Sequence, residues 1–135
     1  MTHHPDVQAF NTQPFDTGSF DALSEMIGDD GAREMVDIFE AETRQRLRRL
    51  AMGGQGMAAL VREMHTLKGA AGTVASPRLA EFGRTLERAA QRGIVPSPDH
   101  LKAIEAALEA FLSKARSRNE IRSAAALEGQ EIRFG

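Results

Sequence analysis

Apolar residues recur at steps of three and four along most of this chain, and no stretch alternates with the period of two that a half-buried strand needs. Segment 57–74 shows the pattern best. Met57, Leu60, Met64, Leu67, Ala71 and Val74 fall in an arc roughly 100° wide on a helical wheel, the buried stripe of an amphipathic helix. Comparable stripes are Phe20, Leu23 and Ile27 in a short helix expected at 19–27, and Val36, Phe39, Thr43, Leu47 and Leu50 in one expected at 32–50. Leu79, Phe82, Leu86 and Ala90 mark a helix at 76–91, and Leu101, Ile104, Leu108, Phe111 and Ala115 one at 97–117.

Punctuation between the stripes is equally regular. Gly28-Asp29-Asp30-Gly31 and Gly53-Gly54-Gln55-Gly56 break the chain, Gly93 ends a helix, and Ser76-Pro77 and Ser97-Pro98 each place an N-cap before a first-turn proline. Four long amphipathic helices on short links imply an all-α fold: an antiparallel, up-down-up-down four-helix bundle with a short N-terminal capping helix. The expected organisation is an irregular arm at 1–17, the bundle at 18–117, and a C-terminal extension at 118–135 that is partly helical or frayed. His3 and His4 read as mobile terminal residues, since adjacent histidines do not face one another on regular structure.

At 135 residues the chain has the length of one domain. A net charge of −2 argues against nucleic acid as a partner, and the absence of Trp and Tyr removes the usual base-stacking platform. There is no Cys, and no apolar run approaches the 18 residues of a membrane span, so a cytoplasmic protein away from membranes is expected. The glycines at 53, 54 and 56 lack the GxxxxGK[ST] pattern of a phosphate loop, so ATP-dependent kinase activity is not expected. Arg44, Arg46, Arg48 and Arg49 crowd a helix C-terminus, where cations suit the macrodipole, and read as a solvated face. His100 reads as a solvated first-turn residue.

His65 stands apart from the stripe of its own helix, about 130° from the stripe's centre. Ala58, Val61, Gly69 and Gly72 share its outward face, and Lys68 follows three residues later, one turn along. A glycine inside a helix costs about 1 kcal/mol relative to alanine, so a pair beside a histidine suggests that something must come close there. The Lys68 ammonium is placed to stabilise a phosphoryl group carried on the imidazole. The same face also suits a non-catalytic module that only binds a partner, and acid-labile phosphate on His65 separates the two readings. A histidine hydrolase fits poorly, because no partner acid or oxyanion arrangement is evident. A monomer is expected, which a molecular-mass measurement separates from a dimeric phosphotransferase.

The run His65-Thr66-Leu67-Lys68-Gly69-Ala70-Ala71 resembles the H-x-L-K-G-[SA]-[SA] signature of histidine-containing phosphotransfer (HPt) domains. The likeness extends over about 20–117, taking in Ile27-Gly28-Asp29-Asp30 and Leu86-Glu87. It implies a phosphorelay intermediate in which His65 accepts a phosphoryl group from the aspartyl phosphate of one receiver domain, such as that of a hybrid histidine kinase, and passes it to an aspartate on another. By the same resemblance Lys68 assists the phosphoryl group and Gly69 leaves room for the partner. Gly69, Gly72, Val61, Ala58 and Arg62 would form the docking face, with Glu87 or Gln91 as the polar residue facing the histidine from the next helix. No cofactor is implied for this chain, and Mg²⁺ belongs to the partner receiver. Ala75 departs from the pattern, since many members have glycine at that turn.

Overall fold

The computed structural model of the chain describes the backbone of residues 12–134 and the side chains of residues 12–129. His3 and His4 lie outside the described residues. Five helices make up the fold, α1 (Thr17–Ile27), α2 (Asp29–Met52), α3 (Met57–Thr73), α4 (Pro77–Gln91) and α5 (Pro98–Phe134), with no strand among the described residues.

Local chemistry sets most of the boundaries. The Asp16 carboxylate accepts from the Gly18 and Ser19 amides (3.1 and 3.4 Å) and starts α1. Gly28, at φ +85°, turns the chain from α1 into α2 in a single residue. Asp29 and Asp30 then lie inside the first turn of α2, where carboxylates suit the positive end of the helix dipole, so α2 begins three residues before the expected Ala32. Between α3 and α4, Ala75 takes up the left-handed conformation at φ +73° that glycine fills more readily. Ser76 is buried, but its hydroxyl donates to the Pro14 carbonyl (3.0 Å) instead of capping α4, which starts on Pro77.

α3 and α4 make the most extensive helix pair, followed by α2 and α5; α4–α5 and α2–α3 contacts are lighter, and α1 lies on α2 and α5. Arg44 to Glu109 (2.6 Å), Arg116 to Glu40 (2.6 Å) and Arg122 to Asp29 (2.8 Å) fix α2 antiparallel to α5. The core is built on Phe20, Met64, Leu67, Leu79, Ile104, Leu108 and Phe111, all fully buried. Phe15 joins it, with its ring centroid 5.2 Å from Phe20 and 6.0 Å from Phe111.

The end of the N-terminal arm packs against the turn into α4: the Asp16 amide donates to Ala75 (3.0 Å), and Arg78 donates to the Gln13 and Thr12 carbonyls (3.1 and 2.9 Å). Four expectations from the sequence are corrected. α5, expected to be only partly helical or frayed beyond 117, runs on to Phe134, because Arg118 forks onto Asp21 (2.9 and 2.7 Å) and the buried Asn119 donates to the Asp29 carbonyl (2.9 Å). Ile27, expected inside, is exposed at the end of α1. Arg46 and Arg49 are no solvated face, since Arg49 grips Glu63 with two 2.8 Å bonds and Arg46 is buried 3.5 Å from the same carboxylate. His100 is buried too, because its Nδ1 accepts from the Ser97 amide (2.9 Å) while the Ser97 hydroxyl accepts from the His100 amide (3.2 Å), a reciprocal cap on α5.

Candidate functional site

Because Met64 and Leu67 are locked in the core, His65, which follows Met64 directly, is turned outward from the middle of α3. Its side chain is 67 % exposed. α4 runs antiparallel beside it, so Glu87, from the edge of the buried face of α4, lies level with the ring. Nδ1 of His65 donates to Glu87 Oε2 at 2.7 Å, and Lys68 Nζ donates to Glu87 Oε1 at 3.0 Å. One carboxylate thus holds both functional groups of the sequence motif.

The direction of the ring bond follows from charge. Burial is the largest influence on the Glu87 carboxyl and raises its pKa, but hydrogen bonds from Lys68 and then His65 outweigh it and hold the group below the ordinary 4.5. An ionised carboxylate can only accept, so the proton sits on Nδ1. The neutral ring therefore presents its lone pair on Nε2.

Around the ring the surface is low. Ala58, Arg62, Gly69 and Gly72 are exposed and Val61 is half-buried. A Cβ added at Gly69 or Gly72 would meet nothing within 4 Å. Of the two candidates on α4, Glu87 reaches the histidine, whereas Gln91, one turn further on, is exposed and not bonded to it. Lys68, expected to assist a phosphoryl group, is half-buried and paired with Glu87 (3.0 Å). No group of three His, Cys, Asp or Glu among the described residues could hold a metal ion, and no helix among them is long and apolar enough to cross a membrane.

Sequence reasoning passed over Gly83. This residue is buried in the middle of α4, and a Cβ built on it would lie 2.6 Å from the Lys68 amide nitrogen and 2.8 Å from the Lys68 Cα. The signal was present as an unexplained glycine inside a strongly amphipathic helix, but its partner on α3 is visible only once the two helices are side by side.

The chain matches the family model of the Hpt domain over residues 34–125, more than half its length, and the match includes His65, Lys68, Gly83 and Glu87. No curated protein and no solved structure matches it. Domains of this kind serve histidine phosphotransfer in two-component phosphorelays, work with receiver domains and are carriers without kinase activity of their own. With an all-helical fold and the histidine motif on an open helix face, the chain belongs to the Hpt domain family.

Proposed function

We propose that this protein is a phosphorelay intermediate, built on an up-down-up-down four-helix frame, that takes a phosphoryl group from the aspartyl phosphate of one receiver domain onto His65 and delivers it to an aspartate of another. The observation that carries this reading is the 2.7 Å bond from Nδ1 to Glu87 on a ring that is 67 % exposed, which leaves Nε2 as an outward-facing nucleophile. In the forward step the Nε2 lone pair attacks phosphorus. The N–P bond forms as the P–O bond to the aspartate breaks, and the electron pair leaves with the aspartate carboxylate. The ring keeps its Nδ1 proton and becomes a cation, which the Glu87 carboxylate faces and stabilises.

Lys68 lies one helical turn from the ring and can exchange its Glu87 partner for an oxygen of the incoming phosphoryl group. Ala58, Val61, Arg62, Gly69 and Gly72 form the face against which the receiver docks, and Gln91 borders it. Mg²⁺ and its acidic ligands belong to the receiver, so this chain supplies a nucleophile, a cation and an open surface. The reading places it in the cytoplasm as a monomer. Incubation with a phosphorylated receiver should label the wild-type chain with acid-labile phosphate, while His65→Gln keeps its helical circular dichroism and takes up none. Undiminished labelling of His65→Gln, or labelling of the wild type by ATP alone, would overturn the proposal.

A further inference from the structure

We infer that Gly83 is a positioning residue for the transfer: having no Cβ, it lets α4 come close enough to α3 for Glu87 to reach His65 Nδ1, and so decides which ring nitrogen is left to carry the phosphoryl group. This rests on the reading of His65 as the carrier.

The register of the two helices makes the connection. Lys68 faces Gly83 and His65 faces Glu87, three residues back on one helix against four residues on along the other, so the close approach and the hydrogen bond lie one turn apart on the same seam. A Cβ at position 83 would stand 2.6, 2.8 and 2.9 Å from the N, Cα and Cβ of Lys68, where ordinary carbon contacts need about 3.5–4.0 Å. Two of those three atoms are helix backbone and cannot swing aside. Any side chain at 83 must therefore push the helices apart, by about 1 Å on this comparison. Among the described residues no other glycine has a contact under 3.0 Å at its Cβ position, so the device is particular to this seam.

Such a shift matters because the bond it governs has little slack. Adding about 1 Å to the 2.7 Å separation of Nδ1 and Oε2 takes the pair beyond hydrogen-bonding distance. α4 cannot easily roll to compensate, since Leu79, Phe82, Leu86, Ala89 and Ala90, on the same buried face as Gly83, anchor it in the interior. Glu87 is held by Lys68 as well, and the backbone of Lys68 is the very surface that Gly83 touches. Both arms of the carboxylate thus depend on the same helix spacing. Without the Glu87 acceptor, nothing in the site favours a proton on Nδ1 over one on Nε2, and a ring protonated on Nε2 has no lone pair facing the partner.

The test reads the ring itself, in the full chain with no phosphodonor present. Nitrogen-15 imidazole spectra, with the His65 signals assigned by their loss in His65→Gln, should show the Nδ1–H tautomer in the wild type. Gly83→Ala should move them toward the mixture of an unconstrained imidazole and slow phosphoryl uptake per folded molecule about tenfold, the factor that loss of one charge-assisted hydrogen bond corresponds to. Glu87→Asp withdraws the carboxylate by one methylene, about 1.5 Å, without touching the α3–α4 seam, and should produce the same ring signature. If Gly83→Ala lowers stability yet leaves the tautomer unchanged, or if Glu87→Asp keeps the Nδ1–H form, helix spacing does not set the nitrogen and the inference fails. Should Gly83→Ala not fold, Glu87→Asp decides alone. The ring spectra need no transfer, so they stand or fall separately from the carrier role tested by His65→Gln.

Discussion

Gly69 and Gly72 sit on the outer face of α3 with open space where a Cβ would be, while Gly83 sits on the inner face of α4 with none. The same residue type therefore does opposite work a few ångströms apart, and substitution should reveal it. Gly69→Ala should stabilise the domain by about 0.5–1 kcal/mol in denaturant unfolding, because it fills no occupied space and restricts the unfolded chain. Gly69→Gln should leave the melting temperature unchanged or higher while slowing transfer, since it puts a long side chain one turn from His65. A lower melting temperature with normal transfer would make Gly69 a packing residue. At this scale the sequence was informative for α3, whose outward histidine and small neighbours follow from one stripe. It was silent on Gly83 and on the choice between Glu87 and Gln91, because both depend on how α4 is set against α3 and not on the periodicity of either helix.

At the scale of elements, the helices with strong apolar stripes and proline or glycine punctuation were legible almost to the residue: α3 ends at Thr73 and α4 at Gln91, against expected ends at 74 and 91. α5 was not, since its last turns carry no apolar stripe and are held by charge to partners far away in the sequence. Arg122 reaches Asp29 and Glu25, each at 2.8 Å, and Arg118 reaches Asp21, so the extension clasps α1 and the start of α2. Asn119→Ala, which leaves the Asp29 carbonyl without its side-chain donor, should cost about 1 kcal/mol in equilibrium unfolding. Truncation after Ser117 should cost more, and should speed amide hydrogen exchange in α1 while sparing α3 and α4. Unchanged exchange in α1 would mean that the extension does not support it. His100 misled for a related reason: its burial follows from a local cap with Ser97, which a solvated reading of the first turn did not anticipate.

Over the whole molecule, carboxylates paired with cations tie α1 and α2 to α5, and α2 to α3. Asp21 is held below its ordinary 3.8 chiefly by the hydrogen bond from Arg118, Glu40 below 4.5 chiefly by Arg116, and Glu63 below 4.5 chiefly by Arg49. A carboxyl with a lowered value in the folded state binds its proton later than in the unfolded chain. The stability it contributes is complete above the ordinary value and is lost as pH falls through the folded one. The melting temperature should therefore change little from these groups between about pH 7 and 5, then drop as the pH falls below about 4. A midpoint that stayed level down to pH 3 would show that the pairs add nothing to the fold.

The exposure of the His65 ring has a consequence for time as well as for docking. Whatever is bonded to Nε2 projects into bulk water, beside two positions where the chain contributes no side chain at all. A phosphoramidate stored there is open to water, with only Lys68 and Glu87 beside it, so on the proposed function its lifetime between encounters is set by hydrolysis of an exposed N–P bond. The bundle then acts as a passive reservoir whose leak is fixed by solvent chemistry, and the persistence of the stored signal is governed by how often a receiver arrives to collect it.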